Sequence, residues 1–389
     1  MNRPVDGLKG RISLVLCNCA GMIDIVALPV WVGIVLIGQY GLDPQRAGAL
    51  ATFFLGAVVA SSLFFSPRID RIRSTIAVPA GFGVAAAAFF ALAATRDYGT
   101  MAALHIIGGL AVGCGMSFTH SVIGSSANPH RLMAIAFTAL SLVSFGFLSS
   151  VPQLVISKGG GMMFVVLGSI MLVAALFAMP GFPVRQAGLS RNGKPVMHAP
   201  LSRGVWFAMI GTILLTMSHS MMSSFLEPMG LAHGFSKQQI LAVFVAIGVV
   251  NLFPGLLAAF FERKVAAGAV MIGGPALQGI LALVLTQSPT FALFALAASA
   301  FPAVLIFTHT FVFGFLARND PSTRAVAATS VVAMTGSAIG PSLGGLVAHN
   351  LGYASIGWSV AVVASVGVFC FWQAQRGAPR TIPAATAVL

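Results

Sequence analysis

Long apolar stretches separated by short polar breaks follow one another along the whole chain. Each stretch holds about 20 or more residues, which is the length that an α-helix needs to cross the hydrocarbon core of a bilayer. A membrane barrel would instead show alternating segments of about 10 residues. The pattern therefore predicts an all-α membrane protein, because lipid offers the backbone no hydrogen-bond partners. We predict 12 transmembrane helices, at residues 12–38, 46–66, 74–95, 101–124, 132–156, 161–180, 203–229, 238–261, 266–286, 290–317, 323–348 and 353–374.

The longest polar interruption, residues 181–202, divides these segments into two groups of six. It is rich in Arg, Lys, Gly and Pro and is predicted to be a cytoplasmic central loop. An N-terminal six-helix bundle would then occupy residues 1–180 and a C-terminal bundle residues 203–389. Similar features recur about 190 residues apart, including Pro152 and Pro341 in the fifth and eleventh segments. This organisation is typical of transporters built from two repeats related by an axis along the membrane normal.

The composition agrees with a membrane protein that has no sizeable soluble domain. Hydrophobic residues make up 58% of the chain and charged residues only 7%. The net charge of +13 could suggest nucleic-acid binding, but its distribution indicates topology instead. With the N-terminus inside, the predicted cytoplasmic segments hold 17 of the 21 Lys and Arg residues. This positive-inside bias predicts a bacterial-type inner membrane protein with both termini cytoplasmic and no nucleic-acid partner.

Three places in the chain carry local motifs of a known transporter family. After the second apolar segment, Ser-Pro-Arg-Ile-Asp-Arg-Ile-Arg (66–73) resembles the loop motif Gly-x-x-x-Asp-Arg-x-Gly-Arg of the major facilitator superfamily, without its glycines. In the fourth segment, His105 stands where drug–proton antiporters of that family place an arginine, ahead of Gly108, Gly109 and Gly113. The chain therefore resembles the drug/metabolite–proton antiporter-like branch, with degraded antiporter motifs.

The eleventh segment matches the antiporter motif Gly-x-x-x-Gly-Pro-x-x-Gly-Gly letter for letter. In the antiporters this motif belongs to the fifth segment, where the present chain keeps only Gly146 and Pro152. Glycines four residues apart allow two helix backbones to approach closely, so the motif predicts a tight helix–helix contact. The residues of this predicted helix-packing motif are Gly336, Gly340, Pro341, Gly344 and Gly345.

The resemblance implies a secondary transporter that works by alternating access, with the first, fourth, seventh and tenth helices lining a central cavity. All the ionisable residues that lie well inside the apolar segments belong to these four helices. Polar groups at such positions are expensive in lipid and mark candidate functional sites, although a single buried histidine is more often a satisfied polar residue. The predicted substrate-cavity residues are Asp24, His105, His120, His219 and His309, together with Met217 and Met221.

Asp24 is the predicted proton-coupling residue, because it is the only acid near the middle of an apolar segment. A carboxyl that gains and loses a proton at this depth could couple transport to the proton gradient. The alternative is a structural Asp that is hydrogen-bonded to Asn18 or to another helix. Glu227, at the outer end of the seventh segment, is either a gate residue or a solvated charge at a helix end.

Two acid–arginine pairs at equivalent loops suggest a conformational latch. They are Asp70–Arg71 after the second segment and Glu262–Arg263 after the eighth. Such pairs could bond to neighbouring helix ends and stabilise one conformation. Ordinary solvated charge on the cytoplasmic side is the alternative.

The expected partners are a small-molecule substrate, protons and the lipid bilayer, for a monomer without a cofactor. The absence of Lys and Arg from the middle of every segment favours neutral, amphipathic or weakly charged substrates. Copper import is an alternative, because soft sulfur and imidazole ligands suit Cu(I). A membrane-embedded enzyme is a remote alternative, and the direction of transport stays open. The predicted Cu(I) ligands would be Cys17, Met217, His219 and Met221.

Overall fold

A computed structural model of the chain describes residues 5–184, 201–261, 264–320 and 324–377. Within these residues every regular element is a helix, and 12 helices are long and apolar enough to cross a membrane. We number the long helices in chain order. They are α1 Leu8–Gln39, α2 Pro44–Phe65, α3 Ser74–Ala94, α4 Tyr98–Gly124, α5 Pro129–Lys158, α6 Gly161–Gly181, α7 Arg203–Ser224, α8 Lys237–Phe261, α9 Ala267–Gln287, α10 Phe291–Asn319, α11 Arg324–Leu351 and α12 Ala354–Arg376.

The predicted all-helical membrane fold is confirmed. Side-chain caps mark the first residues of several of its helices. Asp43 accepts a hydrogen bond from the backbone N–H of Arg46 at 2.9 Å, with Pro44 at the first helical position of α2. Ser236 and Gln239 cap the start of α8 reciprocally, each accepting from the other's backbone N–H. These side chains satisfy backbone donors that the first turn of a helix leaves without partners.

One predicted boundary is wrong, and the error matters for Glu227. The seventh segment was expected to continue to residue 229, but α7 ends at Ser224. A separate short helix, Leu226–Ala232, follows it; we call it the linker helix. Pro228 explains the break, because it has no N–H to bond the carbonyl four residues earlier and clashes with that turn.

The first long helix also changes character along its length. It is α-helical from Leu8 to Leu28 and π-helical from Pro29 to Gln39. The backbone N–H of Tyr40 accordingly bonds the carbonyl of Val35, five residues earlier, at 2.9 Å. π-Helical turns are rare and occur often near functional sites.

The long helices alternate in direction, so the loops fall on two faces. One face holds both ends of the described chain and residues 66–73, and we call it the terminal face. The other holds residues 40–43, 225–236 and 352–353, and we call it the opposite face. Most of residues 181–202 lie outside the described part of the chain.

The helices pack as two groups of six, consistent with the two predicted halves. Helices α1 to α6 pack mainly on one another, as do α7 to α12. The largest contact between the groups joins α2 to α11, and a second joins α5 to α8. We call the α2–α11 contact the seam.

The hydrophobic core is distributed unevenly between the two faces. One large group of buried apolar side chains includes members of both halves, for example Trp31 and Phe294. A second, separate group belongs to the C-terminal half alone and includes Val205, Phe315 and Phe371, near the terminal face. The halves thus share a core toward the opposite face.

Candidate functional site

The linker helix places Glu227 between the two halves at the opposite face. Glu227 is 7% exposed and lies against the π-helical end of α1. A methyl group added at Gly33 would lie 3.5 Å from Oε2 of Glu227, and one added at Gly38 would lie 3.8 Å from Oε1. The two glycines therefore make room for the carboxyl at this contact.

The surroundings of Glu227 favour its neutral form. Burial raises the pKa of the Glu227 carboxyl from 4.5 to about 7, and the charge of Lys237 partly opposes this change. Both residues line a small cleft of about 30 Å³, which has room for one or two water molecules. Burial raises the pKa of Tyr353 as well, with a further contribution from the charge of Glu227. Glu227 is thus a buried acid that can change its protonation state near neutral pH.

In the N-terminal half, a polar pair joins α1 and α4. Nε2 of His120 lies 3.1 Å from Oδ1 of Asn18. Asn18 is fully buried and its Nδ2 has no hydrogen-bond partner, whereas His120 is half-buried. The alternative in which Asn18 caps Asp24 does not match these bonds, because the Asn18 oxygen faces His120. The free N–H groups of Asn18 make this pair a candidate hydrogen-bond donor site.

In the C-terminal half, His219 of α7 has an aromatic and a hydroxyl neighbour. Its ring stacks on Phe301 of α10 with the centroids 6.0 Å apart. Its Nε2 lies 3.3 Å from the hydroxyl of Ser223, and its Nδ1 has no partner. Further along α10, His309 is half-buried and its Nε2 has no partner either. These groups combine an aromatic ring face with buried nitrogen atoms that have no hydrogen-bond partner, and their place in a substrate site stays a prediction.

Asp24 is buried inside the N-terminal half. Only 1% of the residue is exposed, and its Oδ1 accepts a hydrogen bond from the backbone N–H of Ile25 at 2.8 Å. Asp24 shares a face of α1 with Cys17, two turns earlier, and Cys17 contacts the carbonyl of Ala174 on α6. This face of α1 packs within the N-terminal half, whereas the sequence analysis predicted that Asp24 faces a central cavity between the halves. Oδ2 of Asp24 has no hydrogen-bond partner. The role of Asp24 in proton coupling stays a prediction.

His105 also lies inside the N-terminal half, in an aromatic cluster. It is fully buried, with its ring stacked on Trp31 at 5.2 Å and edge-on to Phe164 at 6.1 Å. Its Nδ1 lies 2.6 Å from the carbonyl of Met101, one turn away on the same helix. This environment separates His105 from the His120 and His219 groups and suits a packing role.

The glycine motif of α11 packs on two different helices. Gly336, Gly340 and Gly344 face α7; a methyl group at Gly344 would lie 2.8 Å from a ring carbon of Phe225. Pro341 and Gly345, on a different face, contact α2 across the seam. The motif therefore combines packing within the C-terminal half and contact between the halves.

The predicted latch is described only in part. Asp70 and Arg71 are exposed in a short 3-10 turn, Ser66–Arg71, at the terminal face. Glu262 and Arg263 lie outside the described residues. The pairing of the two loops therefore stays a prediction.

The residues proposed for Cu(I) do not converge. Cys17 contacts α6 in the N-terminal half, whereas Met221 packs against Gly344 of α11 in the other half. Met217 lies beside Gly340 of the same helix α11. The described residues contain no group of three or more His, Cys, Asp or Glu side chains that could hold a metal ion. The geometry gives copper import no support.

Sequence analysis missed three features of these sites: the Asn18–His120 pair, the His219–Ser223 contact and the role of Thr52. Asn18 and Ser223 are ordinary polar residues in apolar helices, although the spacing of His219 and Ser223 at i and i+4 could have indicated their contact. Thr52 of α2 bonds to α11 across the seam. No local signal distinguishes it from the other threonines, because its partner is 286 residues away.

This architecture defines a class of protein: a polytopic helical membrane protein whose two halves meet at one face and carry polar side chains inside. Comparison with known families agrees with it. The model of the Major Facilitator Superfamily matches residues 14–322, and the chain belongs to this family. The family and its structural neighbours indicate a transporter rather than an enzyme. No protein of curated function matches the chain by sequence.

Solved structures of transporters share the fold at low sequence identity. A bacterial homologue of the human lysosomal transporter Spinster, in an inward-facing and unoccupied conformation, superposes with a TM-score of 0.68 and 15% identity, covering 94% of this chain and 96% of that one. Its inward-facing, occupied form gives the same TM-score and coverage at 14% identity. A mutant of the nucleoside transporter NupG gives a TM-score of 0.70 at 13% identity, covering 95% and 100% of the two chains.

Proposed function

We propose that the protein is a proton-coupled secondary transporter that moves a small organic molecule across the cytoplasmic membrane by alternating access. One observation carries this proposal: the contacts between the halves are concentrated toward the opposite face. Gly345 meets Pro44 near that face, and the buried apolar core that both halves share lies toward it, whereas the C-terminal half has a separate core near the terminal face. A cleft that is closed at one face and open at the other is what a transporter needs in one half of its cycle.

The predicted topology gives this conformation a direction. With the termini in the cytoplasm, the terminal face is the inner face and the seam closes the outer side. The conformation then corresponds to an inward-facing state of a monomer. The inward-facing structural neighbours agree with this interpretation.

The proposed substrate is neutral, amphipathic or weakly charged. The polar groups available between the helices are the Asn18–His120 pair and the His219–Ser223 pair, and the Phe301 ring offers an apolar surface. These groups donate and accept hydrogen bonds without a fixed positive charge. A polyanion would call for Arg or Lys at the same depth.

Two acids are proposed to carry the coupling. Glu227 is buried only while the halves meet at the opposite face, so its protonation can respond to opening and closing. Asp24 is buried in the N-terminal half, so a proton would have to reach it through that half. We assign Glu227 to the gate and Asp24 to proton uptake.

A ligand screen followed by transport measurements tests the proposal. Purified protein is first melted in the presence of a broad panel of metabolites, drugs and metal ions, since a ligand that binds only the folded state raises the melting temperature. Each stabilising ligand is then loaded into proteoliposomes with and without a pH gradient. We expect a small organic ligand whose flux depends on the gradient.

Protein-free liposomes and the Asp24→Asn variant serve as controls. Stabilisation by metal ions alone would contradict the proposed substrate class. Ligand flux that is indifferent to the pH gradient would contradict proton coupling. A panel in which ligands bind but none crosses the membrane would contradict transport itself.

A further inference from the structure

A stripe of residues four apart on α2 forms the N-terminal half's side of the seam. Pro44, Gly48 and Thr52 lie one above the other on a single helix face. A methyl group added at Gly48 would collide with the carbonyl oxygen of Pro341, and one added at Gly345 with the carbonyl oxygen of Pro44. Missing side chains at these two glycines thus bring the backbones of α2 and α11 close together.

Thr52 uses this closeness to bond two backbone groups of the other half. Its Oγ1 donates to the carbonyl of Ala338 at 2.6 Å and accepts from the N–H of Ser342 at 3.1 Å. Ala338 and Ser342 are four residues apart, so these are the two groups that an uninterrupted α-helix bonds to each other. The hydroxyl therefore bridges one rung of the α11 hydrogen-bond ladder.

The rung lies next to a proline that already weakens α11. Pro341 has no N–H, so the carbonyl of Ser337 lacks its usual partner in the helix. Hydroxyl side chains are known to compensate backbone groups near prolines in membrane helices. Here the hydroxyl belongs to the other half of the protein and bonds the neighbouring groups, the carbonyl of Ala338 and the N–H of Ser342. The bond can form only while α2 and α11 are in contact at this level.

Thr52 is the residue of the stripe that lies furthest from the opposite face. Toward that face the contact continues through Gly48 and Pro44. Four residues beyond Thr52, an added methyl group at Gly56 would have no atom within 4 Å, at a position about 120° around α2 from Pro44. Thr52 therefore forms the inner end of the stripe that joins the halves.

We propose that the Thr52 hydroxyl is a conformational lock, which holds α2 and α11 together in the conformation closed at the opposite face. When the halves separate there, Ala338 and Ser342 bond to each other and Thr52 is released. The α11 helix thus has two hydrogen-bonding states near Pro341, and the position of α2 selects between them. This inference rests on the alternating access of the proposed function.

The test compares Thr52→Val, which keeps the shape and removes the hydroxyl, with Thr52→Ser, which keeps the hydroxyl. Thr335→Val is a matched control, because Thr335 lies on α11 and bonds only to Val331 of its own helix. Each substitution is combined with Asp43→Cys and His349→Cys, two positions that face each other across the closed end. The rate of disulfide cross-linking at fixed pH reports the closed population. As a second readout, Gly56→Cys is labelled with a maleimide from the open side.

We expect Thr52→Val to slow cross-linking and to slow labelling at Gly56→Cys, each by roughly tenfold, the effect of losing one to two net hydrogen bonds. Thr52→Ser and Thr335→Val should behave as the parent protein does. Unchanged rates in Thr52→Val would overturn the proposal, and so would an equal loss in Thr52→Ser, which would assign the effect to packing. If Thr52→Val does not fold, the Thr52→Ala variant replaces it in both assays. A protein that responds as expected but moves no ligand would contradict the proposed function and leave the lock in place.

Discussion

Neutralising Glu227 should make closure of the opposite face independent of pH. The groups that face its carboxyl are Lys237 from α8 and Tyr353 from the loop before α12, while α1 contributes only uncharged residues such as Gly33 and Gly38. The substitution Glu227→Gln keeps the shape and most of the hydrogen-bonding capacity of the side chain. The amide cannot ionise, so the side chain stays neutral at every pH.

The size of the effect follows from the change in pKa. Burial raises the pKa of Glu227 from 4.5 to about 7. A difference of this size corresponds to about 3 kcal/mol, or roughly 300-fold in the closing equilibrium. Below pH 4.5 the acid is neutral in both conformations and closure carries no penalty. Between 4.5 and about 7 the open form loses its proton first, so each unit of pH weakens closure by about 1.4 kcal/mol. Above about 7 the penalty is complete.

Spin-label distances measure this equilibrium directly. Nitroxides at Asp43→Cys and His349→Cys, in a Cys114→Ala background, report the separation of α2 and α11 by double electron–electron resonance. In the parent protein the closed population should fall as the pH rises from 5 to 8. In Glu227→Gln it should stay at its low-pH value throughout.

Asp97→Asn is the matched control. Asp97 is an exposed acid on the same face, and its hydrogen bonds from Thr100 lower its pKa, so it stays charged over the whole range. Its substitution should leave the pH dependence unchanged. A parent protein whose distances do not change with pH, or a Glu227→Gln variant that keeps the parent's slope, would refute the reasoning.

Three further predictions follow from the packing and the polar pairs. Gly48→Leu should lower the closed population at the opposite face, with an overpacking penalty of about 1–3 kcal/mol. Gly56→Leu should be tolerated, because an added side chain there meets open space. Equal spin-label distance distributions in the two variants would contradict the predicted difference. Asp24→Asn should abolish gradient-driven transport, while ligand-induced thermal stabilisation persists. A pH-dependent flux that is unchanged in this variant would contradict the coupling role of Asp24. His120→Ala should weaken ligand binding about tenfold, as judged from the ligand-induced rise in melting temperature, because one hydrogen bond is lost. His105→Phe should leave ligand binding unchanged, because His105 is enclosed in the aromatic cluster. Weaker binding in His105→Phe than in His120→Ala would contradict the assignment.

The sequence predicted the membrane fold well because its signal is strong and local. Apolar length and charge asymmetry are read directly from consecutive residues, and the predicted segments match the observed helices to within a few residues at most ends. The one larger error arose at Pro228, where hydropathy continues but the helix cannot. Hydropathy also could not reveal the π-helical end of α1, since it depends on hydrogen-bond register.

The candidate site was harder to predict because it depends on which way each side chain faces. Asp24 and His105 are on helices expected to line the cavity, yet both are buried in the N-terminal half, Asp24 on the face of α1 that it shares with Cys17 and His105 against Trp31. Glu227 was predicted to be either a gate residue or a solvated charge at a helix end, and the linker helix buries it between the halves. Thr52 could not be identified at all from its neighbours. Long-range partners determined each of these outcomes.

Ligand accumulation in proteoliposomes tests the central claim most directly. A ligand found by thermal stabilisation is supplied at equal concentration on both sides of the membrane, and a pH gradient is then imposed. Proton-coupled transport predicts that the ligand accumulates on one side above its starting concentration, and that a protonophore abolishes the accumulation. A ligand that crosses the membrane but stays at equal concentration, with the gradient present or collapsed, would contradict proton-coupled transport.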